Sequence, residues 1–473
     1  MSDEDEDAPA HRWFYADTRT LEGALQRGRG AGALRALRDP QQAAEAVYAC
    51  IRRDHRWDWS IDERETYLAR LVRDLGLDLA PITAQLWSTV RVAPEEDDHA
   101  FELAVGVLTE LARAEYGGAE AELLRYAREG ERWTYVIEVI AGSWPVERWD
   151  GLRDPALARL ARMAEAERED LFARREPWQR WQPEGLSSEQ TRPWYRRRPH
   201  RETGEPELLA AVADPALPLA SKRDALFELA RRPARPELLE LAPALTTGEP
   251  PRPITGLRPA VLAQGALALP QARLWSTDPG SPLRALGLSV VADHGTEEDI
   301  PLLMAAWRLL QRNSAWCGYT HLADGLARQG AAASCALPAL RGMLRWTPHS
   351  YERAHLLRAW LAIDRRGSER TLWQGLWDCE SDVRLIAVQQ VPLVPPTRRR
   401  LAELRDDPLE DEEVRSAATA RLAPASARPR GAQLTERPAV AGAVERAAVG
   451  GGGGGRGAAV GEEDRPGGPA EQQ

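Results

Sequence analysis

Arginine and aromatic side chains are interleaved between residues 174 and 201, where eight arginines stand against three glutamates. Guanidinium groups beside stackable rings can hold a phosphate backbone with unpaired bases, or an acidic peptide. The residues predicted to contact a partner are Arg174, Arg175, Trp178, Arg180, Trp181, Trp194, Tyr195, Arg196, Arg197 and Arg198. The alternative is a loop whose tryptophans pack against helices while its arginines stay in water or pair with carboxylates.

A second cluster lies between residues 54 and 59, where two aspartates, a histidine and two tryptophans occur within six positions. An enzyme could use His55 or Asp58 as a general base beneath a stacked sugar or nucleobase. Since the sequence offers no second, separated catalytic partner, we favour a structural or partner-contacting role. Trp57 and Trp59 are therefore added to the predicted partner-binding residues.

The other clusters do not match the spacing that a metal, phosphate or catalytic site requires. The acidic run at residues 95–98 lacks the glycine and terminal glutamate of a calcium loop. His321 and Asp324 lie near Cys317, but no H-E-x-x-H pattern accompanies them. The six glycines from Gly450 to Gly455 are not followed by G-K-[S/T]. We predict no metal, no cofactor and no catalytic residue.

Composition limits the partners and the compartment. A net charge of −10 and a pI near 5.5 disfavour nucleic acid and anionic membranes as partners. The four cysteines are widely spaced, as expected for reduced thiols. The acidic N-terminus does not resemble a secretory signal, and no apolar stretch approaches the roughly 18–20 residues of a membrane span. We expect a soluble, cytoplasmic protein without a membrane partner.

Helical periodicity identifies the elements that must position these side chains. Tyr67, Leu68, Leu71, Val72 and Leu75 form one apolar stripe, and Phe101 begins another that extends to Ala112. Ser60 and Glu63 have the spacing of a capping box, which predicts a helix start beside them. No series of alternating strands is present, so the sequence predicts an all-α protein.

The second half of the chain is periodic. The sequence D-V-R-L-I-A-V around Arg384 is followed, 31 residues later, by E-V-R-S-A-A-T around Arg415. Arg284 and Lys222 stand 62 residues apart, which is twice that spacing, and Arg353 marks a looser copy. A period in the thirties with an acidic turn, then a basic residue, is typical of stacked helical hairpins.

These last copies resemble HEAT repeats. In that family an aspartate occupies the turn between paired helices and an arginine opens the second helix. The resemblance therefore implies that Asp378 with Arg384, and Asp407 with Arg415, fill those positions, with Arg284 as a further repeat arginine. Residues before 200 carry no such motif, so the resemblance covers about half of the chain.

The fold expected from these patterns is an α-solenoid of HEAT-like antiparallel helix pairs with a disordered C-terminal tail. Its predicted parts are an acidic disordered N-terminus (1–10), an N-terminal helical region (11–171), an Arg/Trp-rich linker or loop (172–203), a HEAT-like repeat region (204–423) and a Gly/Ala/Pro-rich tail (424–473). The tail is predicted to be disordered because a segment of such low hydrophobicity buries too little surface to offset its chain entropy.

A solenoid offers a long surface, and its tryptophan and arginine residues are types that dominate binding energy at interfaces. We therefore predict a non-catalytic scaffold that binds a protein or peptide partner along one face of the solenoid. The alternative is a nucleic-acid-binding enzyme similar to the HEAT-like DNA glycosylases that act on alkylated bases, although no catalytic motif of that family can be matched here. HEAT-like lyases that attach bilin chromophores are a third possibility, for which the sequence offers no bilin site.

Overall fold

The computed structural model describes residues 15–56, 61–88, 99–174, 176–182, 200–313, 315 and 317–424. Within them nearly every element is an α-helix, which confirms the all-α prediction. The only strands among these residues are β1 (Thr246–Thr247) and β2 (Arg252–Pro253), which pair antiparallel with Thr246 opposite Pro253. The predicted N-terminus (1–10), and the predicted tail beyond Pro424, lie outside the described residues.

The N-terminal helices are α1 (Leu21–Gln26), α2 (Gly30–Ala36), α3 (Pro40–Arg52), α4 (Glu65–Asp74), α5 (Ala80–Leu86), α6 (His99–Arg113), α7 (Ala119–Glu129), α8 (Trp133–Ser143), α9 (Val146–Trp149), α10 (Arg153–Leu160), α11 (Glu165–Ala173) and α12 (Trp178–Trp181). Local sequence explains where α3 begins. Asp39 accepts a hydrogen bond from the Gln42 amide at 3.2 Å, and Pro40 takes the first helical position of α3.

The start of α4 differs from the prediction. This helix begins at Glu65, and no side chain caps it. The Glu63 carboxylate accepts hydrogen bonds from the amide and hydroxyl of Ser381 instead, both at 3.4 Å. Ser60, the other member of the predicted capping box, lies outside the described residues, and Glu63 caps a helix more than 300 residues further along the chain.

The remaining helices are α13 (Glu205–Ala213), α14 (Leu219–Leu229), α15 (Glu237–Leu241), α16 (Leu257–Leu262), α17 (Leu269–Thr277), α18 (Arg284–His294), α19 (Ile300–Arg312), α20 (Thr320–Arg328), α21 (Leu337–Trp346), α22 (Glu352–Ile363), α23 (Glu369–Gly375), α24 (Ser381–Gln390), α25 (Pro395–Asp406) and α26 (Glu412–Leu422). Short 3₁₀ turns occur at Asp150–Leu152, Ala242–Ala244, Gly265–Ala268, Glu297–Asp299 and Gly330–Ala336.

From α17 onward the helices pack in pairs: α17 with α18, α19 with α20, α21 with α22, α23 with α24 and α25 with α26. The second helices of these pairs also pack on one another in chain order. Such a second helix can be buried on nearly all sides. In α18, for example, every residue from Leu286 to Ala292 is buried. The reason is that the helix is covered on two sides, by its own partner and by the next pair.

Three hydrophobic clusters form the core. One gathers side chains from residues 25–181, the second from residues 208–363 and the third from residues 354–418. The first cluster also contains Cys379 and Leu409, which belong to turns near the end of the described chain. The N-terminal helices are therefore packed directly against the last helix pairs. Among the described residues, no helix is both long and apolar enough to cross a membrane.

Candidate functional site

The tryptophans of the Arg/Trp-rich segment lie in the core. Trp178 and Trp181 form α12 and are 0% exposed, with ring centroids 5.8 Å apart in an edge-on arrangement. Their indole N–H groups donate to Glu138 at 2.6 Å and to Asp150 at 2.9 Å. The prediction that these two tryptophans contact a partner is corrected by their burial, since ring and N–H are already satisfied within the chain.

The neighbouring arginines are on the surface but not free. Arg174 pairs with Glu138 and Asp170, and Arg180 pairs with Glu176. The local positive charge is thus offset by carboxylates, as the alternative interpretation of this segment expects. The other predicted partner-binding residues lie outside the described residues: Trp57, Trp59, Arg175, Trp194, Tyr195, Arg196, Arg197 and Arg198.

The repeat arginines occupy equivalent places. Arg284, Arg384 and Arg415 each lie in the first turn of the second helix of a pair. Asp378 and Asp407 lie in the turns that precede α24 and α26. Arg353, the looser copy of the motif, occupies the same place in α22.

Two of these arginines connect successive pairs. Arg353 binds Asp378 with a shortest distance of 2.6 Å, and Arg384 binds Glu410 at 2.8 Å. In each case the guanidinium reaches forward to the turn of the next pair. Arg384 also donates to the backbone carbonyl of Asp378, in the turn of its own pair. Because both ion pairs are buried and hydrogen-bonded, they fix how one pair sits on the next.

Asp407 is bound by the N-terminal region, and its carboxylate does not pair with Arg415. Arg70 approaches it at 3.0 Å and Arg73 at 2.8 Å, both from α4. Burial raises the pKa of Asp407, but the two guanidinium groups outweigh this and hold the pKa at about 2. Arg70 also pairs with Glu410 at 3.2 Å, so α4 is tied to the same turn through two carboxylates.

The segment before α4 reaches the two preceding turns. The Asp62 carboxylate accepts from the amide and hydroxyl of Ser350 at 2.8 and 2.9 Å, and His349 Nδ1 lies 3.2 Å from it. Arg64 donates to Ser350 Oγ at 2.8 Å and to Cys379 Sγ at 3.1 Å. We use the name charged joint for segment 62–73 together with the turns at 346–351, 378–381 and 407–411.

Two glycines allow the chain to approach this joint closely. Gly28 has φ +64°, and a Cβ there would lie 2.4 Å from Cys379 Sγ. A Cβ on Gly30 would lie 1.8 Å from the carbonyl oxygen of Gln374. The backbone also pairs directly, since the Cys379 amide donates to the Gly28 carbonyl at 2.9 Å. Only glycine permits this contact between the α1–α2 turn and the turn before α24.

Two carboxyl groups in or beside the joint are poorly compensated. Burial and the carboxylate of Glu63 raise the pKa of Glu380 to about 8. Burial raises the pKa of Glu352 to about 7. Glu352 Oε1 accepts from the amides of Gly318 and Tyr319, at the start of α20, whereas its buried Oε2 has no partner among the described residues. Both groups therefore change charge near neutral pH.

Exposed or half-exposed polar and charged side chains lie on α16, α18, α20, α22 and α24. His355 Nδ1 lies 2.9 Å from Asp324, and Arg358 pairs with Asp382 at 3.1 Å. Arg258 of α16 interacts electrostatically with His321 and Asp293. Burial and the charge of Arg258 lower the pKa of His321. We use the name polar row for Arg258, Asp293, His321, Asp324, His355, Arg358 and Asp382, which come from α16, α18, α20, α22 and α24.

The described part of the cluster at residues 54–59 borders a cavity of about 430 Å³. The cavity is lined by Tyr15, Ala16, Glu22, Gln26, Ala49, Arg52, Arg53 and His55. Burial lowers the pKa of His55 to about 4, so the imidazole is neutral at pH 7. His55 Nδ1 is buried without a hydrogen-bond partner among the described residues, and the Tyr15 hydroxyl donates to the backbone carbonyl of His55.

Nothing in the described chain gathers ligands for a metal: no three histidine, cysteine, aspartate or glutamate side chains are placed to share an ion. Comparisons with protein families, with curated proteins and with solved structures find no match to this chain.

The spacing of the repeated motif predicts Arg384, Asp378 and Asp407. The residues of α4 and of the segment before it that bind these side chains show no repeated sequence pattern. The sequence marks them only by the density of arginine and acidic residues between 62 and 73. The sequence places His321 and Asp324 three positions apart, whereas His355, which contacts Asp324, lies 31 residues further along the chain and carries no local signal.

Proposed function

We propose that this protein is a non-catalytic scaffold of HEAT-repeat type, which binds a protein or peptide partner along the face that carries the polar row. The supporting observation is that exposed or half-exposed side chains of both charges lie on five helices, where His355 lies 2.9 Å from Asp324 and Arg358 pairs with Asp382 at 3.1 Å. Such a surface matches a polypeptide that itself carries both signs of charge.

Solenoid architecture is part of this proposal. It is supported by the 31-residue spacing, by the packing of second helices on one another and by the forward ion pairs of Arg353 and Arg384. Neighbouring helices pack about 8–10 Å apart, so five of them span on the order of 40 Å. An extended peptide of about 12 residues covers that distance.

The mixed sign of the polar row weighs against a nucleic-acid partner. A phosphate backbone is held mainly by lysine and arginine, and each carboxylate in the groove opposes it. Here Asp293, Asp324 and Asp382 stand among the cations of the row. We therefore place the DNA-glycosylase-like alternative second.

A cytoplasmic location is proposed on separate grounds. All four cysteines are free thiols, and two of them, Cys317 and Cys335, are exposed. Exposed free thiols persist in a reducing compartment and are prone to oxidation elsewhere.

The proposal is tested with charge variants of the Arg358–Asp382 pair in the full chain. Wild type, Arg358→Asp, and the double variant Arg358→Asp with Asp382→Arg would be used for chemical crosslinking in native extract, with quantitative mass spectrometry. The double variant keeps an ion pair but reverses its direction, so it separates a structural need for the pair from recognition of its charges by a partner. Arg366→Glu is the control, since this side chain is 94% exposed and lies outside the row.

We expect partners whose crosslinks involve α20, α22 or α24 to fall at least tenfold in both row variants and to stay unchanged in the control. Crosslinks of equal yield in wild type and both variants would refute the proposal. A salt titration of DNA binding covers the alternative: binding at low salt that weakens steeply with added salt would favour a nucleic-acid partner instead.

A further inference from the structure

Glu380 lies where three separate parts of the chain meet. Its side chain is 5% exposed, and it precedes α24 directly. The Glu63 amide donates to Glu380 Oε1 at 3.2 Å, which connects it to the segment before α4. The thiol of Cys379 lies 3.6 Å from the same oxygen. A change in the charge of Glu380 therefore acts on the contact between the N-terminal region and the α23–α24 turn.

The cations near Glu380 are already bonded to other groups. Arg353 binds Asp378 and the carbonyl of Arg27. Arg64 donates to Ser350 and Cys379. No described guanidinium lies within 4 Å of the Glu380 carboxyl. The carboxyl is consequently buried without the direct ion pair that Asp378, Asp407 and Glu410 possess.

A second carboxylate opposes ionisation of Glu380. Glu63 sits across the contact and is fixed there by the amide and hydroxyl of Ser381. Glu63 is exposed to solvent, whereas Glu380 is buried. Burial and the nearby negative charge of Glu63 both disfavour the ionised form of Glu380, so Glu380 retains its proton.

We propose that the charged joint is a proton-controlled contact, closed when Glu380 carries a proton and loosened between segment 62–64 and turn 378–381 when that proton is lost. The charges that act on Glu380 are those of Glu63 and Arg64 from the N-terminal segment and of Arg353 from α22, and the Ser350 hydroxyl also bonds to it. The other charged or titratable groups of the joint beside these residues are Asp62, His349, Asp378, Cys379 and Arg384.

The direction of the effect follows from linkage. The pKa of Glu380 is about 8 in the closed joint and returns toward about 4.5 when the joint opens. Closure is thus fully favoured below about pH 4.5 and weakens as the pH rises toward 8. The carboxylate of Asp407, with a pKa near 2, stays ionised throughout that range and does not contribute.

Hydrogen exchange of the full chain, read by mass spectrometry, tests this. The informative peptides cover residues 26–30, 61–66 and 376–382, because the amides of Glu63 and Cys379 bond across the contact. After correction for intrinsic rates, we expect protection in wild type to fall at least tenfold between pH 5.5 and 7.5. Glu380→Gln mimics the protonated carboxyl and should keep its protection at both pH values.

The control is Glu412→Gln, an exposed glutamate in the first turn of α26, which should behave as wild type. Glu63→Gln provides a second variant: removal of the opposing charge should lower the pKa of Glu380, so the loss of protection should be smaller than in wild type. Equal pH dependence in wild type and Glu380→Gln would overturn the proposal. So would unchanged protection of wild type across this range.

Discussion

Arg384 and Glu410 form an ion pair at 2.8 Å, with side chains that are 2% and 0% exposed. Arg353 and Asp378 repeat this relationship one helix pair earlier, and the partner again lies about a pair's length further along the chain. In both cases the arginine opens the second helix of one pair and its partner lies in the turn of the next. The sequence repeat is thus also a repeat of buried electrostatic contacts.

Loss of Arg384 should destabilise the protein strongly. Arg384→Ala leaves Glu410 buried with only Arg70 as a cation, and breaking such a pair costs about 3–5 kcal/mol. Urea unfolding followed by circular dichroism measures the change in the free energy of unfolding. Arg405→Ala is the matched control, since it removes an exposed pair with Asp406 and should leave the free energy of unfolding nearly unchanged. A loss below about 1 kcal/mol for Arg384→Ala would contradict this account.

Gly30→Ala should disrupt the contact between the N-terminal helices and the α23–α24 turn. The new methyl group would lie 1.8 Å from the Gln374 carbonyl oxygen, so the backbone must move apart. We expect a loss of about 3 kcal/mol or more in the free energy of unfolding, on the scale of an exceptional substitution. Gly342→Ala, which meets nothing within 4 Å in α21, should instead stabilise by about 1 kcal/mol. Equal behaviour of the two variants would show that the close approach does not exist.

Trp178 should be essential to the N-terminal core. Trp178→Ala removes a fully buried ring and the donor to Glu138, for an expected cost of about 3–5 kcal/mol. Trp178→Phe isolates the contribution of the hydrogen bond to Glu138, because it keeps most of the ring volume but removes the indole N–H from which this carboxylate accepts. The free energy of unfolding should rank wild type, phenylalanine and alanine in that order. An alanine variant as stable as wild type would mean that this ring is on the surface after all.

Glu352 should make stability depend on pH near neutrality. Its pKa is raised by burial to about 7 in the folded chain, against an ordinary value of about 4.5 when unfolded. The folded state therefore binds the proton more tightly, and the resulting stabilisation is lost as the pH rises from about 4.5 through 7. At pH 8, Glu352→Gln should be more stable than wild type, by on the order of 3 kcal/mol, since one pKa unit corresponds to about 1.4 kcal/mol.

The measurement is the difference in unfolding free energy between wild type and Glu352→Gln at pH 5 and pH 8. Glutamine retains a carbonyl oxygen that can accept from the amides of Gly318 and Tyr319, so these backbone groups before α20 keep their hydrogen bonds. Glu369→Gln, an exposed glutamate in the first turn of α23, provides the control. A constant difference across pH would show that Glu352 is already ionised in the native chain.

Much of the helical content could be predicted from sequence because it depends on local periodicity. Tyr67, Leu68, Leu71 and Val72 fall on one face of α4 and are buried together. Arg384 could be located for a similar reason, since the contact it makes with the next helix pair repeats that of Arg353, 31 residues earlier. Neither signal needs knowledge of distant parts of the chain.

The charged joint could not be predicted because its partners are far apart in sequence. Glu63 has the spacing to cap its own helix, and only the folded chain brings Ser381 to it. The same holds for Trp178: beside several arginines it resembled a binding residue, whereas Glu138, 40 positions earlier, receives its N–H. Local pattern identifies the residue type that a site needs but does not show whether the chain already satisfies it.

The joint also has a consequence for synthesis of the protein. Asp62 and Arg64 leave the ribosome well before Ser350 and Cys379, whose contacts with them span 288 and 315 residues. At about 5–20 residues per second, translation takes roughly 15–60 s to cover that interval. During this time the early helices expose surface that their late partners will cover. The nascent chain thus passes through a stage at which a chaperone, or premature association with another copy, competes with its own completion.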